Sequence, residues 1–288
     1  MHLLAFGLGY SGRTLAARLA REGWTITGTS TTSEGARRLD GLGHQGRVFD
    51  GRAPSAEVSR ALGEATHVLL SIPPAADGDP ALVHHGADIA SSKTLGWIGY
   101  LSTIAVYGDQ QGGWVDEASP PNPMSERGRR RFAAENAWLK LGARTGKTVM
   151  VFRLPGIYGP GRSALDDLAD GTARRLVKKD QVFNRIHVED IAGAVAAAIA
   201  RPRPGAIYNV TDDEPAPPQD VVEYAARLAG RPVPPAVPFE TADITPMARS
   251  FYSENKRVRN GRLKAELGYA LAYPTYRDGL TAIAAASV

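Results

Sequence analysis

Apolar and polar positions in this chain follow two periods. Leu3-Leu4-Ala5-Phe6 is a short continuous apolar run, and Trp24 to Thr27 is another. Between them Leu15, Ala16, Leu19 and Ala20 recur at helical spacing, with Arg13, Arg18, Arg21 and Glu22 on other faces. The pattern predicts strand, helix, strand, and Gly23 fits the helix stop. Val48 to Gly51 reads as a short third strand and its end. His67 to Ile72 is a continuous apolar strand, as expected in a parallel sheet buried on both faces, and Pro73-Pro74 stops it. Gly96 to Thr103 and Val149 to Leu154 read as further strands. Arg129 to Leu141 reads as a helix, with Phe132, Ala133, Trp138, Leu139 and Leu141 mostly on one side. Residues 1–154 therefore alternate strand and helix, which predicts an α/β fold with a doubly wound parallel sheet.

Beyond residue 154 the proline density rises, from Pro202 and Pro204 through Pro232 to Pro238. Glu189 to Ala200 and Gln219 to Ala229 read as helices, and Ala206 to Val210 as a short strand. We expect residues 1–154 to form a dinucleotide-binding core. Residues 155–288 are expected to be a mixed segment, contributing the last core elements and a substrate cap.

The dinucleotide expectation rests on Gly7-Leu8-Gly9-Tyr10-Ser11-Gly12, which joins the first strand to the first helix. Gly7 permits the tight turn, Gly9 lets the backbone approach a pyrophosphate, and Gly12 lets the helix lie close to the sheet. Tyr10 and Ser11 begin the helix, whose free N–H groups and partial positive charge suit phosphates. This is the Rossmann arrangement. At the end of the second strand no acidic residue awaits a ribose 2′-hydroxyl; Thr29 and Ser30 stand there, and Arg37 and Arg38 follow. A 2′-phosphate is tolerated by such a loop, so NADP is expected, with NAD as the alternative. Ser71, at the end of a neighbouring strand, joins the cofactor candidates.

The chain has 288 residues, 43% hydrophobic and 22% charged, enough for a sizeable core. With no cysteine it has no disulfide framework, thiolate metal site or cysteine nucleophile, and no metal ligand set is expected. The first strand starts almost at Met1, which argues against a secretory signal, and no apolar run approaches a membrane span. A cytoplasmic protein is expected, with no membrane partner. The net charge is +4 and the pI about 9.3. The densest basic run, Arg127-Gly128-Arg129-Arg130-Arg131, carries no interleaved aromatics for base stacking. It reads as a solvated helix start, and no nucleic-acid partner is expected.

Four further motifs occur in order: Ser102-Thr103-Ile104-Ala105-Val106-Tyr107-Gly108, Arg153-Leu154-Pro155-Gly156-Ile157-Tyr158-Gly159, Ile186-His187-Val188-Glu189-Asp190, and Tyr208-Asn209-Val210-Thr211. Together with the glycine turn they resemble the extended short-chain dehydrogenase/reductase family, the NAD-dependent epimerases and dehydratases. The resemblance covers nearly the whole chain. It implies that Asp50 sits beside the adenine ring. It implies that Thr103 polarises a substrate carbonyl next to the nicotinamide, and that Pro155 and Gly156 line that side. The segment with His187 and Asp190 is then mainly structural.

The departures concern the active site. The family carries a tyrosine and, four residues later, a lysine for proton transfer. With Phe132-Ala133-Ala134-Glu135 setting the register, those positions are Arg127 and Arg131. Arginine cannot donate and recover a proton near neutral pH, though it can stabilise an alkoxide or bind a carboxylate or phosphate. Tyr107 is the nearest substitute acid, against its ordinary reading as a packed, hydrogen-bonded tyrosine. Gly156 replaces an asparagine common in members acting on nucleotide sugars, and Phe183 replaces an arginine for which Arg185, two residues on, stands as a substrate-binding substitute. The family's first glycine falls at Phe6, with Gly7 instead.

The leading expectation is an NADP-dependent oxidoreductase or epimerase-type enzyme. Thr103, Tyr107, Arg127 and Arg131 are its catalytic candidates, and the substrate is small and anionic. The alternative is a dinucleotide-binding redox sensor without turnover. A homodimer through the helix of Arg131 and the segment Leu82 to Ile89 is a further expectation.

Overall fold

The protein is described from a computed structural model, over residues 1–286. Its first part runs β1 (His2–Phe6), α1 (Tyr10–Arg21), β2 (Thr25–Ser30), α2 (Ser33–Gly41), β3 (Gln45–Val48), α3 (Ala56–Glu64), β4 (His67–Leu70), α4 (Pro80–Ser91) and β5 (Trp97–Thr103). A short 3₁₀ turn (Ile104–Tyr107) leads to β6 (Trp114–Val115), α5 (Glu126–Thr145) and β7 (Thr148–Leu154). The rest comprises β8 (Gly156–Tyr158), α6 (Ala164–Ala169), β9 (Arg175–Val177), β10 (Arg185–His187), α7 (Val188–Ala200), β11 (Ile207–Asn209), α8 (Pro218–Leu228), β12 (Ala236–Pro238), α9 (Pro246–Phe251), β13 (Arg257–Val258), α10 (Gly261–Leu267) and α11 (Tyr276–Ala286).

Seven parallel strands make the central sheet, in the order β11-β7-β5-β4-β1-β2-β3. Because successive side chains of a strand point to opposite faces, β1 divides between two cores. Leu3 and Ala5 pack with Leu15 and Leu19 of α1 and Ile191 and Val195 of α7. Leu4 and Phe6 pack with Val58 of α3, Ile89 of α4 and Trp138 of α5. That double burial explains the unbroken apolar run. The third strand lies at Gln45–Val48 rather than at Val48 to Gly51, because its pairing with Thr27 to Ser30 ends at Val48. Phe49 still reaches the core, against Phe6.

Residues beyond β7 return to the sheet through β11 and otherwise build short parallel pairs, β8 with β10, β9 with β12 and β6 with β13. Asp190 of α7 accepts from the Tyr269 hydroxyl and from the amides of Ala272 and Tyr273, so it fastens the C-terminal segment to α7. His187 caps the same helix, its Nδ1 accepting from Glu189 N. No helix among the described residues is long and apolar enough to cross a membrane.

Candidate active site

Gly7 adopts φ +80°, and its amide donates to Thr29 Oγ1 at 2.8 Å. The Ser71 hydroxyl donates to Gly7 O and, at 3.3 Å, to Phe6 O. Thr29 and Ser71 thus brace the turn through main-chain hydrogen bonds, and Thr29 is only 3% exposed. Gly9 caps α1 with no side-chain hydrogen bond, and the first turn holds no acidic residue. A Cβ on Gly9 meets nothing within 4 Å, so the space before the amides of Tyr10, Ser11 and Gly12 is open. A Cβ on Gly12 meets Leu8 at 3.3 Å and Gly7 O at 3.4 Å, which keeps the helix close to the turn. This open, uncapped cradle, with no carboxylate in its first turn, fits the diphosphate of a pyridine dinucleotide.

Along the cradle, Ser30 closes β2 against Gly35 of α2. Arg37 is exposed and makes no salt bridge among the described residues, whereas Arg38 pairs with Glu34 at 3.2 Å. Asp50 is exposed at the loop after β3, where Oδ1 accepts from Arg52 N.

At the other end, Thr103 terminates β5, half-buried, and Oγ1 accepts from Ala105 N at 3.2 Å. Its hydroxyl hydrogen remains available to a ligand. The arginine run divides by facing. Arg129 and Arg130 pair with Glu126 on the solvated side. Arg131 turns inward, where Nη1 donates to Leu101 O at 2.7 Å, two residues before Thr103, and lies over the Tyr100 ring. Arg127 is exposed and stacks on Phe251 of α9, 5.0 Å from the ring centre. Pro155 follows β7, and β8 sets the exposed Gly156 opposite Arg185.

Tyr107 is removed from the proton-transfer candidates. It is fully buried, donates to Asn209 Oδ1 at 2.8 Å and accepts from Arg153 Nη1 at 2.9 Å. Burial pushes its pKa up, away from the neutral range an acid needs. Arg153 in turn binds Glu135 through two nitrogens. Glu135 and Asn209 were visible in the sequence only as a register mark and a motif residue, because their task is a contact across the sheet.

Arg185 donates from Nη1 to the carbonyls of Phe183 and Ala216 and lies over Tyr276. It lines a cavity of about 470 Å³ with Tyr158, Arg162, Asp167 and Val221. Burial holds its pKa below the ordinary arginine value. Nearby, Asp212 is raised to about 8, first by burial and against the pull of Arg185. Among the described residues no group of three or more His, Cys, Asp or Glu is placed to hold a metal.

Residues 88–211 match the family described as NAD dependent epimerase/dehydratase. The chain is 31% identical over 279 residues to Protein YeeZ of Escherichia coli K12, covering 93% of this chain and 94% of that protein. It is 31% identical over 144 residues to a 3-diazoavenalumate denitrifying reductase of a Streptomyces species, covering 46% of this chain and 45% of that protein. The solved structure of a functionally unknown conserved protein from Silicibacter pomeroyi DSS superposes with a TM-score of 0.90 at 51% identity, covering 99% of both chains.

Proposed function

Since this chain belongs to the NAD-dependent epimerase/dehydratase family, we propose that it is an NADP(H)-dependent oxidoreductase that reduces a small anionic carbonyl compound without the family's tyrosine–lysine proton relay. The observation that carries this reading is the divided arginine run, with Arg127 exposed over Phe251 and Arg131 tied to Leu101 O, two residues before Thr103.

The glycine turn and the α1 amides hold the diphosphate, and Arg37 takes the 2′-phosphate. When bound, the cofactor supplies the hydride. Thr103 donates its hydroxyl hydrogen to the substrate oxygen while accepting from Ala105 N. Arg127 stabilises the negative charge that grows on that oxygen, or anchors the substrate's own carboxylate. Neither arginine gives up a proton, so the alcohol proton comes from water reaching the exposed rim. A second reading, a dinucleotide sensor without turnover, is favoured by the missing relay itself.

NADPH oxidation followed across aldehydes, ketones and keto acids tests the proposal. Turnover that falls in Thr103→Val and Arg127→Ala, with keto acids preferred, supports it. Tight NADPH binding with no turnover across the panel overturns it in favour of the sensor.

We also propose self-association through α4 and α5, which leave between them a groove of about 450 Å³ over Leu82, Gly86, Ala137 and Leu141. Sedimentation that reports a monomer at all concentrations refutes it.

A further inference from the structure

We infer that Arg162 is a second cationic clamp on the cofactor diphosphate, carried to it by a turn fastened to the phosphate-binding helix. This deepens the dinucleotide reading and rests on it. Gly159 and Arg162 exchange both backbone hydrogen bonds, at 3.1 and 3.0 Å, closing a tight turn over Pro160 and Gly161. Gly161 adopts φ +71° and Gly159 φ +158°, so glycine suits both corners.

The turn is pinned to α1. The Tyr10 hydroxyl donates to Pro160 O at 3.0 Å, across 150 positions of sequence. A Cβ on Gly159 falls 2.5 Å from that hydroxyl, so only glycine allows the approach. Tyr10 is the first residue of α1, and its amide belongs to the open cradle. The Arg162 guanidinium lies 5.7 Å from the centre of the Tyr10 ring. Arg162 is exposed and, among the described residues, makes no salt bridge. The carboxylates that also act on Tyr10 are Asp166 and Glu189. Asp166 is occupied by the Ser163 hydroxyl at 2.6 Å, and Glu189 lies in the first turn of α7. A guanidinium with no salt bridge among the described residues, over the ring of the first residue of α1 and in a cavity it shares with Asp166, Asp167 and Asp170, can take the paired oxygens of a diphosphate in a bidentate contact.

The glycine turn of this chain offers a phosphate only main-chain groups, since Gly9 caps α1 with no side-chain hydrogen bond. Arg162 adds a charge from a segment 150 residues away, at the side chain of the first residue of α1. It also stands at the edge of the 470 Å³ cavity, so cofactor and cavity share this residue.

Calorimetry on the full chain with NADPH, ADP-ribose and adenosine tests the assignment, alongside thermal melting. For Arg162→Ala, NADPH and ADP-ribose are expected to bind about tenfold more weakly, the scale of one charge-assisted hydrogen bond. Adenosine, which has no diphosphate, binds as to the parent. Arg162→Lys is expected to recover part of the loss, and Arg162→Glu to deepen it. Melting unchanged in all three variants separates binding from folding. Parent-like NADPH and ADP-ribose affinities in Arg162→Ala overturn the clamp while leaving the dinucleotide reading intact. A parent that binds neither compound overturns both.

Discussion

Arg153 and Glu135 face each other in the core, Nη2 to Oε2 at 2.8 Å, with side chains 2% and 1% exposed. Glu135 also accepts from the Ser102 hydroxyl at 2.5 Å, and Arg153 donates onward to Tyr107. One buried pair thus ties α5 to β5 and β7. It sets the height and rotation of the helix whose first turns carry Arg127 and Arg131.

Removing one member of this pair leaves the other buried and uncompensated. Glu135→Gln is expected to destabilise the fold by about 3–5 kcal/mol. Urea unfolding followed by circular dichroism measures it, and a loss below about 1 kcal/mol contradicts the stated role.

Two glycines of the same turn are expected to respond differently. Gly7→Ala places a Cβ 2.6 Å from Ile72 Cγ2 at φ +80°, so stability falls by a few kcal/mol, roughly, together with binding. Gly9 has φ −83° and an empty surround, so Gly9→Ala is expected to melt like the parent. Its methyl group nonetheless occupies the approach to the α1 amides, and NADPH affinity is expected to fall about tenfold or more. Calorimetry and melting on both variants separate the two effects.

In the proposed reading Arg37 selects the coenzyme. Arg37→Ala is expected to weaken NADPH about tenfold, the loss of one charged phosphate contact, with NADH unchanged. Equal effects on the two coenzymes, measured by titration of each, contradict its place at the 2′-phosphate.

Stability is expected to decline toward both ends of the pH scale. Burial lowers the pKa of His67 and His187 to about 4. Both are neutral in the folded chain and take up protons near 6.5 when unfolded. Their contribution is therefore present above pH 6.5 and lost as pH falls toward 4. Asp212 behaves oppositely: folded it titrates at about 8, unfolded at 3.8. Its contribution is complete below 3.8 and lost as pH rises through 8. Asp212→Asn is expected to flatten the alkaline decline. Urea midpoints from about pH 4 to about pH 9 check both limbs.

Helix and strand were legible wherever burial imposes a period. The two-faced apolar run of Leu3 to Phe6 and the stripe of Leu15 and Leu19 announce a covered parallel sheet, and the glycine turn its phosphate cradle. Those signals are local, because backbone geometry and one buried face act over a few residues. Which polar groups meet was not legible. Thr29 and Ser71 look alike as hydroxyls in the chain, and only the fold brings one to the Gly7 amide and the other to the Phe6 carbonyl. Tyr107 reads in the chain as a packed, hydrogen-bonded tyrosine or as a substitute acid, and only the fold supplies the Arg153 and Asn209 that close around it. Arg127 and Arg131 sit in one basic run, and only helix rotation sends one to Phe251 and the other to Leu101. Arg162 reaches Tyr10 only through a turn from the far half of the chain. The sequence by itself determined the sheet and its cradle, since these follow from periodicity and main-chain freedom. The tertiary structure decided which polar groups meet at the rim, since hydrogen-bond partners are chosen by distance in space and not along the chain.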